Sequence, residues 1–430
     1  MKIECFEDID ILLNPSISSL SAGDSYSLDR IKRLMDELGN PQDELKVIHV
    51  AGTSGKTSTA YYIAEMLRLN GYKTGLSTSP HIDEMNERLQ LDLVPLGEDK
   101  FCRELPNFLE IFSKLSIKPT YFELFIAFAY WYFAKIKVDY AVMETGLGGS
   151  LDATNVVSRT DKICVITDIG LDHTDILGKT LAEISKQKAG IIQQNNTVII
   201  NLQGSEITKV IEKSVISKSA RLEVVKNIDQ TVDLPLIQKR NWSLAKAVVE
   251  HIFSLDNKKS LRESELKSAA KLIIPGRIER HKIDGKEIIL DGAHNQQKMQ
   301  ALLESLRPEL DEKICVILAI GINKKQHLLE MTRLVSSIAS EIILTSFDTE
   351  QDFKQKSLNP AYLAEYFPDI KVTKIFDLKQ AIKAALKTNS NKILITGSLY
   401  LMGKARKIIK PYPQIRFENF ENSSRENHQY

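Results

Sequence analysis

The stretch "VIHVAGTSGKTSTAYYIAEML", residues 47–67, decides the fold of the first part of the chain. It opens with a short β-branched run and passes through a loop that contains two glycines. It then places Ala60, Ile63, Ala64 and Leu67 at the i, i+3, i+4, i+7 spacing of an amphipathic helix. A strand, a glycine loop and a helix in this order bring backbone N–H groups together at a helix N-terminus, where they bind anions. We therefore predict a phosphate-binding loop.

The spacing inside this loop departs from the common Walker A pattern. In G-x-x-x-x-G-K-[ST] the first glycine stands five residues before the second, but that position is Val50 here and the nearest glycine is Gly52. A Ser/Thr-rich turn with a solvated lysine is the alternative. The flanking strand and helix favour phosphate binding, with Lys56 at the β- and γ-phosphates and the Thr57 hydroxyl at Mg²⁺. The predicted nucleotide-binding residues of the loop are Gly52, Thr53, Ser54, Gly55, Lys56, Thr57 and Ser58.

Bulk properties of the chain exclude several classes of protein. Its 430 residues exceed what one hydrophobic core usually supports, so we expect two domains. A net charge of +1 gives no reason to expect a nucleic-acid partner. The four cysteines are far apart and form no C-x-x-C pair, which is typical of reduced thiols. The N-terminus lacks the pattern of a signal peptide, and the most apolar run, residues 121–134, is too short to span a bilayer and is predicted to be a buried helix. We expect a cytoplasmic protein without membrane contact.

The second half of the chain has a more regular pattern. From about residue 285, short apolar strands alternate with helical stretches, which indicates a doubly wound α/β domain. Pro-Gly and Asp-Gly turns cluster in residues 273–286. We predict an α/β protein with an N-terminal P-loop ATPase-like domain over residues 1–280 and a C-terminal Rossmann-like domain over residues 285–430. The polar stretch 411–430 is predicted to be a partly ordered tail.

Three further stretches of the first half are predicted to be buried strands: "VDYAVMETG" (138–146), "KICVITDIG" (162–170) and "NTVII" (196–200), and the first two end in an acid or polar residue followed by glycine. In "VDYAVMETG" the strand ends at Glu144, and ligands of open α/β sheets bind at such strand ends. Glu144 is either a magnesium-binding carboxylate or an acid that faces water. His173 in "GLDHTD" reads most simply as a loop histidine bonded to a neighbour, and Lys188 in "ISKQKAGII" as a lysine on a helix surface.

Seven motifs occur in order along the chain: "HVAGTSGKTS", "STSPHIDEMNERL", "METGLGGSLDATN", "GLDHTDILGKTLAEISKQKAGI", "PGRIER", "LDGAHN" and "TGSLYLMG". Together they resemble the folylpolyglutamate synthase/dihydrofolate synthase family, which is related to the Mur ligases. The resemblance runs from Tyr26 to Met402. In this family the shortened loop G-T-x-G-K is the normal form, so the resemblance makes it a nucleotide site.

The resemblance implies an ATP-dependent ligase that joins L-glutamate to a pterin-bearing carboxylate, either dihydropteroate or a folate, through an acyl phosphate. Two magnesium ions are implied. Ser79 and Glu144, beside Thr57, would hold the first, and Glu144 with His173 the second. Lys188 aligns with a lysine that the family carries as a carbamate, an anion able to bind magnesium.

The remaining site residues also follow from the resemblance. ATP would be bound across the domain cleft by Asn241, Arg277 and Asp291, and His294 in the same motif is a catalytic candidate with a less defined role. The residues implied for the substrate are Arg88, Thr120, Phe122, Asp152 and Ala153. Phe122 would stack on the pterin, although a core aromatic is an equal alternative. Ser150 stands where relatives often carry arginine, which bears on the exact substrate. We expect a monomer.

Two other functions remain as alternatives. A Mur-type ligase acting on a nucleotide-linked peptide usually carries an additional N-terminal domain, and only about 46 residues precede the first predicted strand. A P-loop module that hydrolyses nucleotide without joining substrates would need neither the second α/β domain nor the "DGAHN" turn.

Overall fold

A computed structural model describes residues 27–113, 119–349 and 355–409. The chain forms two compact units. The first ends at Lys271 and the second begins at Leu272, except that Pro235–Ile237 belongs to the second. The predicted polar tail, residues 411–430, lies outside the described residues.

The first unit contains an eight-stranded sheet in the order β4-β3-β2-β5-β1-β6-β7-β8. Its strands are β1 (Val47–Ala51), β2 (Thr74–Ser77), β3 (Gln90–Leu91), β4 (Val94–Pro95), β5 (Tyr140–Glu144), β6 (Ile163–Ile166), β7 (Thr197–Asn201) and β8 (Arg221–Val225). All neighbours pair in parallel except at β3 and β4, which add an antiparallel edge. The predicted strands β1, β5, β6 and β7 are confirmed. β1, β5 and β6 are buried along their whole length, which explains their continuous apolar sequences.

Nine α-helices are described in the first unit. They are α1 (Asp29–Glu37), α2 (Lys56–Leu69), α3 (Glu98–Ser113), α4 (Tyr121–Lys135), α5 (Thr174–Leu177), α6 (Leu181–Ala189), α7 (Ser205–Ser217), α8 (Leu236–Leu255) and α9 (Glu263–Ala270), in chain order. The first two residues of α8 belong to the second unit. The apolar run 121–134 forms α4, and the prediction of a buried helix is confirmed. No helix in the described parts of the chain is both long enough and apolar enough to cross a membrane.

The second unit has a six-stranded sheet in the order β15-β12-β11-β16-β10-β9. Its strands are β9 (Glu279–Ile283), β10 (Lys286–Leu290), β11 (Ile314–Leu318), β12 (Ala339–Leu344), β15 (Lys371–Lys374) and β16 (Lys392–Thr396), and β13 (Asp348–Thr349) pairs separately with β14 (Gln355–Lys356). Its helices are α10 (Gln296–Leu306), α11 (Leu328–Ser336), α12 (Pro360–Ala364), α13 (Leu378–Leu386) and α14 (Leu399–Ile409). Within the six-stranded sheet only β9 runs antiparallel to its neighbour, and β13 and β14 are also antiparallel to each other. The predicted alternation of strands and helices, and with it the α/β fold of both units, is confirmed.

Candidate active site

The phosphate loop connects β1 to α2, as predicted, and both of its glycines are required by the local geometry. Gly55 precedes α2 with φ of 89°, and a Cβ atom there would lie 2.2 Å from Oδ1 of Asn241. A Cβ atom on Gly52 would lie 1.8 Å from Oγ1 of Thr167. Any larger side chain would therefore displace the loop. The structure brings Asn241, on α8, directly against this loop.

The segment that follows β6 holds the loop in place. The backbone carbonyl of Asp168 accepts hydrogen bonds from the amides of Thr53 (2.9 Å) and Ser54 (3.2 Å). The Asp168 carboxylate is bound by both Nε and Nη2 of Arg240, at 3.0 and 2.6 Å. The backbone amides of Thr53 and Ser54, two residues predicted to bind the nucleotide, thus donate to a carbonyl of the protein itself. The N-terminus of α2, where Gly55 offers no side-chain cap, is the better place for an anion.

Two lysines converge on one carbonyl group of the loop. Nζ of Lys56 donates to the Gly52 oxygen at 3.1 Å, and Nζ of Lys188 donates to the same oxygen at 2.8 Å. Lys188 is only 3% exposed on α6. The simple reading of Lys188 as a helix-surface lysine is therefore wrong. Two cationic side chains at one oxygen create a strongly positive site next to the loop.

Oxygen atoms gather at the end of β5, beside the first turn of α2. The Thr57 hydroxyl donates to Oε1 of Glu144 at 2.9 Å, and the Ser79 amide donates to Oε2 at 3.4 Å. Glu144 is 3% exposed, so the alternative of an acid facing water is wrong. Oγ of Ser79 is buried and has no hydrogen-bond partner. An unpartnered buried hydroxyl beside a carboxylate and a second hydroxyl fits a hard cation such as magnesium, which prefers oxygen ligands.

His173 lies at the start of α5 in the left-handed backbone region, with φ of 49°. Its side chain is 41% exposed and its Nε2 lies 3.9 Å from Oδ1 of Asp172, whose carboxylate is buried. His173 thus lies beside a polar neighbour at the end of a loop, which is the simpler of the two interpretations of the sequence. Across the described residues, no group of three or more His, Cys, Asp or Glu side chains is arranged to hold a metal.

The loop after β5 carries the implied pterin residues. Asp152 is buried, and its carboxylate accepts from the Leu147 amide (2.7 Å), the Thr154 amide (3.0 Å) and the Thr154 hydroxyl (2.5 Å). Burial raises the pKa of Asp152, and these hydrogen bonds oppose that rise. Asp152 therefore organises its own loop. Ala153 is buried beside it.

The other implied substrate residues lie at the start of α4 and just before β3. Thr120 caps α4 by accepting from the Glu123 amide, and Phe122 packs so closely on Gly146 that a Cβ there would meet its ring at 2.6 Å. Arg88 is buried, donates from Nε to Nδ1 of His81 at 2.9 Å, and lies over the ring of Tyr121. Local sequence gave no signal for His81.

Ser150 contacts the end of the helix that carries Lys188. Its hydroxyl donates to the Gln187 carbonyl at 3.2 Å. A Cβ atom on Gly190 would lie 1.8 Å from this hydroxyl oxygen, so the small side chains at the two positions fit each other.

The second unit places its implied residues around the end of β10. Asp291 accepts from the amides of Ile278 (3.0 Å) and Ala293 (2.8 Å). Burial raises its pKa and the charge of Arg277 opposes the rise. Nδ1 of His294 bonds to the Gly292 carbonyl at 2.7 Å, and its Nε2 lies 3.0 Å from Nζ of Lys298. Within the second unit, the segment of Arg277 thus lies against the turn that carries Asp291 and His294.

Comparisons with known proteins show the family of this chain. Residues 276–399 match the Mur ligase glutamate ligase domain. The chain is 31% identical to a dihydrofolate synthase/folylpolyglutamate synthase of Bacillus subtilis, over 91% of this chain and 96% of that protein. It belongs to the dihydrofolate synthase/folylpolyglutamate synthase family. A dihydrofolate synthetase of Saccharomyces cerevisiae is 30% identical over 89% of this chain and 97% of its own. A crystal structure of Mycobacterium tuberculosis folylpolyglutamate synthase with ADP and AMPPCP superposes with a TM-score of 0.82, at 27% identity, and covers 96% of this chain and 100% of that one.

Membership of this family decides between the functions that the sequence left open. The protein is an ATP-dependent ligase that attaches glutamate, and it acts on small molecules. The Mur-type peptide ligase and the hydrolysing P-loop module are thereby set aside.

Proposed function

We propose that this member of the dihydrofolate synthase/folylpolyglutamate synthase family adds L-glutamate both to dihydropteroate and to folates that already carry glutamate. A substrate carboxylate oxygen attacks the γ-phosphorus of ATP and ADP leaves. The glutamate amine then attacks the acyl phosphate, and phosphate leaves. The observation that carries this proposal is the contact of Thr57 and Ser79 with Glu144 next to the phosphate loop.

Two anions, a carboxylate and a triphosphate, must meet in this reaction, so positive charge is the first requirement. Lys56 supplies it from the loop, and the positive end of α2 supplies more. Magnesium, when bound, would neutralise charge on the phosphate oxygens. Thr57, Ser79 and Glu144 would hold it, and few protein ligands suffice because magnesium keeps water and phosphate oxygens in its shell. A second ion would be held by Glu144 and His173.

We also propose that Lys188 carries a carbamate. Its amine would attack CO₂, form an N–C bond and release a proton. The carbamate N–H can still donate to the Gly52 carbonyl, as the amine does at 2.8 Å. The added carboxylate would replace the repulsion between Lys188 and Lys56, which share this carbonyl, by an attraction.

For the substrate we propose a pocket at the loop after β5. Phe122 would present its ring to the pterin, Asp152 would accept from pterin N–H groups, and Thr120, Ala153 and Arg88 would complete the lining. Ser150, which is uncharged, removes one possible anchor for a substrate carboxylate.

From the second unit, Arg277 and Asp291 are proposed to contribute to ATP binding, and His294 to catalysis, as the Mur ligase glutamate ligase match over residues 276–399 supports. From the first unit, Asn241, which packs against Gly55, would contribute as well. We propose a monomer, to be checked by light scattering. The buried free thiols of Cys102, Cys164 and Cys315 support a reducing compartment such as the cytoplasm.

The deciding experiment supplies the purified protein with ATP, magnesium and L-glutamate, and with either dihydropteroate or tetrahydrofolate. ADP release and product mass are followed. We expect turnover with both. Turnover with tetrahydrofolate alone contradicts the dihydropteroate half of the proposal, and turnover with dihydropteroate alone contradicts the other half.

A further inference from the structure

A buried histidine on β1 has no role in the chemistry described so far. His49 is fully buried at the centre of the first sheet, three positions before Gly52, with Met143 of β5 and Cys164 of β6 as its strand partners. Its Nε2 lies 2.7 Å from the Thr154 hydroxyl. That hydroxyl in turn lies 2.5 Å from Oδ1 of Asp152. A chain of hydrogen bonds therefore links His49, on the strand before the phosphate loop, to the carboxylate of Asp152, which is proposed to bind the pterin.

Counting protons assigns the direction of each bond. The carboxylate of Asp152 accepts from the Thr154 amide, and the single proton of the Thr154 hydroxyl is donated to the same carboxylate oxygen. The hydroxyl oxygen can then only accept from His49, so Nε2 of His49 carries the ring proton. Burial, and next the charge of Lys162, hold the pKa of His49 well below its ordinary value. His49 is thus a neutral imidazole protonated at Nε2.

The other ring nitrogen of His49 makes a histidine at this position unfavourable for stability. Nδ1 of His49 is buried and has no hydrogen-bond partner. An unsatisfied buried acceptor destabilises a fold, and an apolar side chain at this position would avoid the penalty. The advantage of a histidine at this position is therefore the hydrogen bond that its Nε2 donates to the Thr154 hydroxyl.

We propose that His49 is a positioning residue for the pterin substrate: it fixes the Thr154 hydroxyl, which fixes the Asp152 carboxylate in the orientation that meets the substrate. The backbone of Thr154 is restrained as well, because its carbonyl accepts from the Tyr130 hydroxyl at 2.8 Å. With the amide and the carbonyl of Thr154 both bonded, the hydroxyl is the part of this residue that His49 controls. This inference rests on the proposed role of Asp152.

Steady-state kinetics of two matched variants test it. His49→Met and His49→Gln have side chains of nearly equal length, but only glutamine offers an N–H to Thr154. We expect His49→Met to raise KM for dihydropteroate about tenfold, the loss of one hydrogen bond to a buried network. KM for ATP should stay unchanged, and His49→Gln should recover most of the affinity for dihydropteroate. Equal effects of the two substitutions, or a parallel rise in KM for ATP, would overturn the proposal.

Thr154→Val removes the same link without altering the sheet, and it carries the test if His49→Met does not fold. It should raise KM for dihydropteroate at least as much, and the double variant should show no further rise. Additive losses would mean that His49 acts by another route.

Asp152→Asn separates the two proposals. If it leaves KM for dihydropteroate unchanged, the pterin assignment itself fails. If it raises this KM while His49→Met does not, the assignment holds and the positioning role is wrong.

Discussion

Each unit of the protein places polar residues where a buried parallel strand ends and a helix follows, but the two turns carry opposite charge. In the first unit, β1 leads through the phosphate loop to α2, and Lys56 donates to the Gly52 carbonyl oxygen. In the second unit, β10 leads through "DGAHN" to α10, and Asp291 binds two backbone amides of its own surroundings. The same topology thus supports a cationic loop in one unit and an anionic turn in the other.

The difference in charge indicates that the two units contribute to the reaction in different ways. A cationic loop next to a buried carboxylate suits the transfer of a phosphoryl group, since charge develops on phosphate oxygens. An aspartate that is bonded to backbone amides shapes a turn and leaves little freedom for chemistry. Substitutions of Lys56 and Lys188 should therefore lower kcat, and substitution of Asp291 should mainly affect ATP binding.

The largest effect is expected for Lys56→Ala. Removal of the loop cation should lower kcat by about 10³-fold, because charge on the transferred phosphoryl group loses its nearest protein partner. ADP release in the presence of dihydropteroate measures this, and thermal unfolding checks that the fold persists. Lys186→Ala, an exposed lysine on α6, serves as the control. A variant that keeps most of its turnover contradicts the assignment of the loop.

Lys188→Ala is expected to lower kcat by about 10²-fold, through loss of the proposed carbamate and its charge. Added short carboxylates should restore part of the activity, whereas they should not rescue Lys56→Ala. Mass spectrometry of the native protein under CO₂ should show the additional carbamate mass at Lys188. An unmodified lysine in active enzyme would rule out this role.

The strand–loop–helix order around Lys56 could be predicted from the sequence because it depends on local pattern: apolar periodicity and glycine positions. The buried helix α4 followed from composition in the same way. The edge strands β8 and β9 could not be predicted in the same way. β8 is partly exposed, and β9 has four charged or polar residues in a row before Ile283, so neither shows the continuous apolar run that marks a buried strand.

The partners of the site residues could not be predicted, since they depend on contacts between distant segments. Nothing in "GTSG" indicates that Asp168 occupies the amides of Thr53 and Ser54. The sequence likewise gave no sign that Arg240 holds Asp168, or that His49 reaches Thr154. Arg240 and His49 each hold another side chain in position, and no local sequence pattern marks a residue with that role.

In the second unit, Asp291→Asn should act mainly on binding. The amide keeps one acceptor oxygen but places an N–H₂ group near a backbone amide, so the turn that bears Arg277 should shift. We expect KM for ATP to rise about tenfold, the effect of one lost charge-assisted hydrogen bond, with a smaller change in kcat. A fall in kcat as deep as that of Lys56→Ala, at constant KM for ATP, would contradict the division of work between the two units.

The smallest effect on activity is expected at Glu279, whose role we predict to be structural. Its side chain is 1% exposed and accepts from Nε of Arg406 (2.9 Å), Nε2 of His281 (2.8 Å) and the Gly276 amide (2.9 Å). Burial alone would raise the pKa of Glu279, but the hydrogen bond from His281, the charge of Arg406 and the Gly276 amide lower it to about 2 from an ordinary 4.5.

Because the pKa of Glu279 is depressed in the folded protein, its stabilising contribution is present above pH 4.5 and is lost as the pH falls toward 2. We expect Glu279→Gln to lower the free energy of unfolding at pH 7 by about 3 kcal/mol. The difference between the native protein and the variant should shrink steadily between pH 4.5 and 2. Urea unfolding at several pH values measures it, with Glu309→Gln, a more exposed partner of Arg280, as the control. A difference that stays constant across this pH range would show that the Glu279 charge does not stabilise the turn.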